Sequence, residues 1–413
     1  MASGHDTPRH RVLLAGGGSG GHVFPALAVG EELARRGWDV DFVGAAGGME
    51  EGLVAEAGLP FHSLPARPVV GRGPGDRIAA MWTLAKSAWR ARRLIRDVGA
   101  SVVVGTGGYV SAPAVMGAAL TRTPSLLVEP NAMAGLANRL LSRWAADAAL
   151  AFETTARSLR CPSTVTGVPV RSAFAELPEA AIDGPVRVLV LGGSQGSEQL
   201  NREVPAALGR LLEEGADLPE VLIVHQAGRG KVDTAVTAYA AAGVPLEVPA
   251  GDTQSPEHTQ SPAGTGITAR VVDFIDDTAA EIGDAHLVIS RAGAITCAEI
   301  SAAGRASLLV PLVAAAGHQM DNARALADAG ASVVAGLEDR VGADFTASLA
   351  DDLGRLLADR ERLAAMARAS RGLGRPGAAA AIADRVERLA DVAPPPHVQQ
   401  KTDNPQPPEG AAP

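Results

Sequence analysis

The stretch RVLLAGGGSGGHVFPALAVGEELARRG, residues 11–37, joins an apolar run to a helical pattern through a glycine cluster. It opens with a short apolar run, RVLLAG (11–16), crosses a cluster of glycines, and continues as an Ala/Leu-rich helical pattern that begins near His22. A strand that runs straight into a glycine-rich turn and a helix is the opening unit of a parallel α/β sheet. Working outward, the alternation returns at DVDFVG (39–44), SVVVG (101–105), SLLVE (125–129) and AALAFE (148–153). It then restarts with RVLVLGGS (187–194) and continues through VLIVHQAG (221–228), ARVVDFI (269–275), LVISRAG (287–293) and SLLVPL (307–312).

Two such series predict an α/β protein of two Rossmann-like domains whose parallel sheets face each other across a cleft. At 413 residues the chain is long enough, since single cores rarely grow beyond ~250 to 300 residues. GVPVRSAFAELPEAAIDGP (167–185) loses the period and gains proline and glycine, which marks the hinge. The expected domains are residues 1–167 and 168–375, with a terminal helix at 376–391 returning to the first. Residues 244–266, rich in Pro, Gly, Ser and Thr, read as a surface loop insertion, and 392–413 as a disordered Pro-rich tail. Neither is expected to carry chemistry.

Aromatic content of 3% predicts an aliphatic core. Cys161 and Cys297 form neither a metal-ligand spacing nor a disulfide framework, which suits a reducing compartment. A net charge of -9 argues against a nucleic-acid binder that relies on global electrostatics. The N-terminal MASGHDTPRHR does not read as a signal peptide, and no run approaches ~18 apolar residues, so any membrane contact is expected to be peripheral.

Three glycine-rich turns carry the chemistry. Gly17, Gly18, Ser19, Gly20 and Gly21 precede the first helix; GTGGY, with Gly107, Gly108 and Tyr109, follows a later strand; GGSQGS (192–197) follows the first strand of the second series. Glycines let the backbone turn sharply and approach a ligand, while free amides at a helix start favour an anion or polar oxygen. No lysine follows as in a P-loop, and no acidic residue clearly ends the second strand as in a dinucleotide site. All three turns sit at carboxyl ends of expected parallel strands, where open α/β sheets bind ligands.

In order and spacing these segments resemble the MurG family of N-acetylglucosaminyltransferases of peptidoglycan synthesis. The resemblance rests on GGSGGHVFPALAV (17–29), GTGGYVSAPAV (105–115), EPNAMAGLANRLLSR (129–143), TGVPVR (166–171), GGSQGS (192–197), HQAG (225–228), FIDD (274–277), SRAGAITCAEISAAGR (290–305) and HQMDNA (318–323). It implies a GT-B fold, UDP-N-acetylglucosamine as donor, and undecaprenyl-diphosphate-linked N-acetylmuramoyl-pentapeptide (lipid I) as acceptor. Carried over by position, Ser194 and Gln195 would meet the diphosphate or sugar and Arg171 the departing diphosphate. Ile275 would hold the uracil edge through its backbone and Glu299 the ribose hydroxyls. Gln319, with His318 or Asn322 nearby, would read the sugar hydroxyls, and Asn131 joins the donor set.

The base that takes the acceptor's proton is expected to be His22, at a helix N-terminus that favours the neutral imidazole, with Glu129 as the rival. Many relatives carry His-Glu-Gln-Asn where this chain has Val128, Glu129, Pro130 and Asn131, so a His and a Gln are missing beside Glu129. No DxD-type metal motif sits at a strand end, and no metal or other cofactor is expected.

Residues 66–98 hold eight Arg or Lys against two acids, a local charge of +6. Within them Ile78, Met81, Trp82, Ala85 and Trp89 share one helical face, beside Lys86, Arg90 and Arg93. Arg139, Leu140, Leu141, Arg143 and Trp144 extend the patch. A basic amphipathic segment with tryptophans fits an anionic membrane surface, here the cytoplasmic face of the bacterial cell membrane. The competing reading packs the stripe on the sheet and leaves the arginines solvated. Other cell-wall synthesis proteins are further expected partners; nucleic acid is not. Alternatives to the function are transfer to another lipid such as diacylglycerol, a UDP-N-acetylglucosamine 2-epimerase, and a non-catalytic nucleotide-sugar sensor or scaffold.

Overall fold

The computed structural model describes residues 10–65, 74–174, 176–179, 184–193, 195–247, 266–312, 318–335 and 344–392, and of 74–80 the backbone alone. Most of the expected insertion (248–265), the tail beyond Val392 and Ser194 lie outside the described residues.

In the first half strands alternate with helices: β1 (Arg11–Ala15), α1 (Gly20–Arg35), β2 (Asp39–Ala45), α2 (Met49–Glu56), β3 (Phe61–Leu64), α3 (Pro74–Val98) and β4 (Val102–Gly105). Then follow α4 (Gly108–Thr121), β5 (Ser125–Glu129), α5 (Leu136–Leu141), β6 (Asp147–Leu150) and β7 (Ser163–Val165). The second half holds β8 (Val186–Leu191), α6 (Glu198–Glu213), β9 (Val221–Gln226), α7 (Val232–Ala241), β10 (Ile267–Val272), α8 (Thr278–Asp284) and β11 (Leu287–Ser290). It ends with α9 (Ala294–Ala303), β12 (Ala306–Leu309), α10 (His318–Asp328), β13 (Ser332–Val334), α11 (Phe345–Leu357), α12 (Arg360–Leu373) and α13 (Ala378–Val392).

The strands form two sheets, in the orders β3-β2-β1-β4-β5-β6-β7 and β10-β9-β8-β11-β12-β13. Every pairing is parallel. The order reverses between β1 and β4 in one sheet and between β8 and β11 in the other. At those switch points the loops diverge and leave a crevice beyond the carboxyl ends. Helices cover both faces of a parallel sheet, which is why β1, β4 and β5 read as unbroken apolar runs: Leu13, Leu14, Val103, Val104, Leu126 and Leu127 are all fully buried.

The last helix crosses back to the first domain. Ile382, Ala383 and Val386 of α13 are buried in one apolar cluster with Val12, Leu14 and Val104. Arg36 fastens it by donating to Asp384 (2.7 Å) and Glu387 (2.8 Å), and Arg385 pairs with Asp147. The hinge is held to the second domain by Arg305, whose side chain is fully buried and faces carbonyl oxygens. It donates to Ile282 (3.1 Å) near the end of α8, to Ala303 (2.7 Å) ending α9, and to Pro178 (2.7 Å) in the linker. Burial lowers its pKa to about 10, still protonated at neutral pH, so the charge compensates two helix C-termini at once. Helix α9 is thereby fixed against the linker that carries Arg171.

Candidate active site

Four helices begin at the switch points, α1 after β1, α4 after β4, α6 after β8 and α9 after β11, and the starts of α1 and α9 line the space between the sheets. The first turns of α1 and α9 contain no acidic residue, so their positive ends are uncompensated. The two approach each other across the seam: a Cβ built on Gly21 would stand 3.9 Å from Ile295 Cγ1. Converging first-turn amides and dipoles favour an anionic ligand.

The cleft so formed is open to solvent and has a volume of about 400 Å³. Its walls bring together Ser19, Gly20, Gly21, His22, Asn131, Arg171, Ile275 and Glu299 from both domains and the hinge. Residues that the sequence did not single out also line it, including Phe24, Gln226, Phe274, Thr278 and Thr296. Phe274 is 37% exposed, with the Arg229 guanidinium 5.1 Å from its ring. Arg171 is exposed, 5.1 Å from the Phe174 ring and 6.0 Å from that of Phe24.

His22 Nδ1 lies 2.9 Å from the Thr106 carbonyl oxygen. A carbonyl only accepts, so the bond holds the proton on Nδ1 and leaves the Nε2 lone pair bare. Burial lowers the His22 pKa, while the Thr106 bond and the charge of Glu129 partly offset that, so the ring is neutral at physiological pH. The second glycine turn exists to admit this ring. Gly107 has φ +105°, and a Cβ there would stand 2.6 Å from His22 Nδ1.

Glu129 has a different environment. It is 2% exposed, and its carboxylate accepts from Asn131 N (3.0 Å), Asn131 Nδ2 (3.0 Å), Gly135 N (2.9 Å) and Asn138 Nδ2 (3.0 Å). With both oxygens engaged by four donors, it holds the loop at 130–135 instead of offering a lone pair to the cleft. That loop meets the second domain through Asn322, which accepts from Ala132 N (3.0 Å) and donates to Ala292 O (3.2 Å) and Asn131 Oδ1 (3.4 Å). Asn322 is fully buried in this seam, which leaves it unable to read a sugar hydroxyl.

Several other expected contacts are placed differently. Gly17 and Gly18 pack against Glu50 and Tyr109: a Cβ on Gly17 would lie 2.3 Å from Glu50 Oε1, and one on Gly18 2.7 Å from the Tyr109 ring. A Cβ on Gly108 would lie 2.3 Å from Gly17 O, so the two loops brace each other. Glu50, fully buried, accepts from Ala45 N (2.8 Å) and Gly18 N (3.3 Å) and shapes the first loop from behind. Gln195 is exposed, its carbonyl taken by Lys231 Nζ at 2.8 Å, and Gln319 Oε1 accepts from Leu312 N at 2.9 Å. Neither is among the described residues lining the cleft. Ser194 lies outside the described residues, and among those described no three His, Cys, Asp or Glu side chains gather as metal ligands.

On the first domain's surface α3 presents two stripes. Ser87, Ala88, Ala91 and Ile95 are buried beneath it, whereas Met81 (65% exposed), Trp82 (75%) and Trp89 (49%) face outward. The exposed stripe therefore does not pack on the sheet. Lys86, Arg90 and Arg93 are exposed with it, and Ile78's side chain lies outside the described residues. Around α5, Arg139, Leu140, Arg143 and Trp144 are exposed, but Leu141 is buried in the core. Among the described residues no helix is long and apolar enough to cross a membrane.

Two Rossmann-like domains whose parallel sheets meet at one cleft have the GT-B architecture, and the family matches make the chain a glycosyltransferase of that class. Residues 12–150 match the glycosyltransferase family 28 N-terminal domain and residues 187–385 its C-terminal domain. The chain is 39% identical, over 92% of its length and 98% of the relative's, to the UDP-N-acetylglucosamine--N-acetylmuramyl-(pentapeptide) pyrophosphoryl-undecaprenol N-acetylglucosamine transferase of Syntrophotalea carbinolica. Its structure resembles that of MurG from Acinetobacter baumannii, with a TM-score of 0.70, 30% identity and coverage of 92% of this chain and 100% of that one. A UDP-N-acetylglucosamine 2-epimerase described as putative, from Listeria monocytogenes, shares the fold alone, with a TM-score of 0.63, 13% identity and coverage of 94% and 98%. The chain belongs to glycosyltransferase family 28.

One titration follows from this geometry. Burial raises the Glu299 pKa to about 7, opposed by the charge of Arg171. If its carboxylate accepts from two donor hydroxyls, protonation turns one of its two oxygens into a donor and removes the charge, so kcat/KM for the donor should fall as pH drops through about 7. Glu299→Gln should remove that limb; an unchanged limb in the variant would show that another group titrates.

Proposed function

We propose that this chain transfers N-acetylglucosamine, with inversion, from UDP-N-acetylglucosamine to the 4-hydroxyl of N-acetylmuramoyl-pentapeptide on undecaprenyl diphosphate, making lipid II for peptidoglycan. The observation that carries the reading is the oriented, neutral His22 in a cleft shared with Arg171 and Glu299, in a chain of this family.

His22 Nε2 takes the proton of the acceptor hydroxyl as its oxygen bonds to the anomeric carbon. On the opposite face the bond from that carbon to the diphosphate oxygen breaks, and its electron pair leaves with UDP. General-base assistance is worth ~10² to 10⁴ in rate. The growing charge on the diphosphate meets Arg171 and the N-termini of α6 and α9, fixed donors in a partly desolvated cleft. Glu299 accepts from the ribose hydroxyls, the backbone at Ile275 pairs with the base, and Phe274 offers it an apolar face. Asn131, held by Glu129, reaches the sugar from the acceptor side. Glu129 is thus a positioning residue, and the missing His and Gln beside it are not required. Gln195 and Gln319 receive no role.

His22→Ala should lower acceptor-dependent UDP release at least ~10²-fold while UDP binding, measured by calorimetry, stays within about two-fold. Near-normal turnover by that variant would remove His22 as base. UDP release that ignores the lipid acceptor would favour a different reaction class.

The second part of the proposal places the enzyme at the cytoplasmic membrane face through the exposed stripe of α3 and the rim of α5. Tryptophans at the interface and arginines toward anionic headgroups suit these positions. Substituting Met81→Ser and Trp82→Ser together should weaken sedimentation with anionic vesicles by roughly ten-fold, leaving turnover of a soluble short-chain acceptor unchanged. Binding by wild type that is absent, or insensitive to salt, would contradict the placement.

A further inference from the structure

Helix α1 starts without a side-chain cap of its own. Its N-cap residue, Ser19, makes no capping hydrogen bond, and Pro25 has no N–H for the carbonyl of Gly21 one turn earlier. Helix ends held this loosely fray, yet His22 belongs to this first turn. The hold on it comes from outside the helix.

Thr106 directly follows β4, across the switch point from the turn after β1, and it is fully buried. Its amide continues the β1–β4 ladder by donating to Ala15 O at 2.9 Å, which fixes the threonine itself. The hydroxyl faces the main-chain oxygen of His22 at 2.6 Å and Ala15 O at 3.3 Å. A hydroxyl has one proton, and the nearer oxygen, that of His22, takes it. Gly16 leaves the passage open: a Cβ there would stand 2.4 Å from Thr106 Oγ1 and 2.8 Å from His22 O.

The same threonine holds the other end of the histidine, since its carbonyl accepts from His22 Nδ1 at 2.9 Å. The N–H of that same peptide, on Gly107, donates to the buried Ser111 Oγ at 3.0 Å, so the carbonyl cannot swing away. Two torsions separate a histidine's main chain from its ring. With the ring bond alone, the root would move with a fraying turn; with the main-chain bond alone, the ring would rotate. Both together leave Nε2 at one place.

We propose that the Thr106 hydroxyl is a positioning group for His22, tying the uncapped first turn of α1 to the second glycine turn so that Nε2 meets the acceptor hydroxyl. This rests on the reading of His22 as base. Misplacement of a reacting group by about 1 Å can cost ~10²-fold in rate, so a bond that removes part of that freedom has a measurable effect. The effect falls on the chemical step: the side-chain bonds of Thr106 run to His22 and Ala15, whereas Arg171, Ile275 and Glu299 belong to the linker and the second domain.

The test compares Thr106→Ala with Thr106→Ser, which differ by the hydroxyl alone, at saturating UDP-N-acetylglucosamine and short-chain lipid I analogue. Thr106→Ala should lower kcat about ten-fold with calorimetric UDP affinity within about two-fold of wild type, and Thr106→Ser should recover most of the loss. Added to His22→Ala, Thr106→Ala should cost less than about two-fold more, because a group that acts through the imidazole then has nothing to position. Equal kcat in the Ala and Ser variants would overturn the proposal, as would the same loss from Thr106→Ala with and without His22. Should Thr106→Ala fail to fold, Thr106→Val, which also lacks the hydroxyl, takes its place in both comparisons. Near-normal turnover by His22→Ala would remove the base reading and the role of Thr106 with it. A large loss in His22→Ala beside wild-type kcat in Thr106→Ala would remove the role of Thr106 alone.

Discussion

A parallel sheet delivers the carboxyl ends of all its strands to one edge, and in this chain two such edges are held face to face. The seam is narrow. Asn322 of the second domain accepts the Ala132 amide of the first and donates to Ala292, beside the start of α9. The loop it grips is shaped by Glu129, and the helix it adjoins carries Glu299. Arg305 and α13 tie the remaining connections, one holding the linker to the second domain and the other returning the chain to the first. What depends on this arrangement is the meeting of His22 from one domain with Arg171 and Glu299 from the hinge and the other, which the proposed reaction uses as base, cation and hydroxyl acceptor.

Burial works in different directions across the cleft. It favours the neutral form of His22, which suits the base of the proposed reaction, and it disfavours the ionised form of Glu299. Arg171 stays exposed at the rim, where its charge costs little. The glycine turns divide their labour. Gly107 makes room for an imidazole and Gly196 for a close backbone crossing, whereas Gly17 and Gly18 make room for a buried carboxylate and a tyrosine ring.

The two-sheet architecture was legible because central parallel strands are buried on both faces and must be apolar throughout, as in RVLLAG and RVLVLG. The strands absent from that reading are β3, β7 and β13, with sequences FHSL, STV and SVV. Each lies at a sheet edge, is three or four residues long, and carries polar residues that an edge tolerates. His22, Arg171, Ile275, Glu299 and Asn131 were legible because each adjoins a strand end or turn that the topology sends to the cleft. Glu50 was not: an acid in the first turn of a helix looks solvated until the fold closes Gly17 and Gly44 over it. Glu129 was found by position but not by role, because its four donors come from residues two to nine positions ahead in a loop whose path no periodicity specifies. The bonds between Thr106 and His22 join two turns 84 positions apart, and only tertiary packing brings them together.

The proposed reaction is a single displacement in which His22 removes the acceptor proton while the diphosphate leaves from the opposite face of the sugar. The most direct measurement is the anomeric configuration of the new bond, read by proton NMR of the disaccharide formed from UDP-N-acetylglucosamine and a short-chain lipid I analogue. Inversion at the anomeric carbon gives a β linkage from the α-linked donor. An α linkage would contradict it, because retention needs either two displacements or a leaving group and nucleophile on the same face.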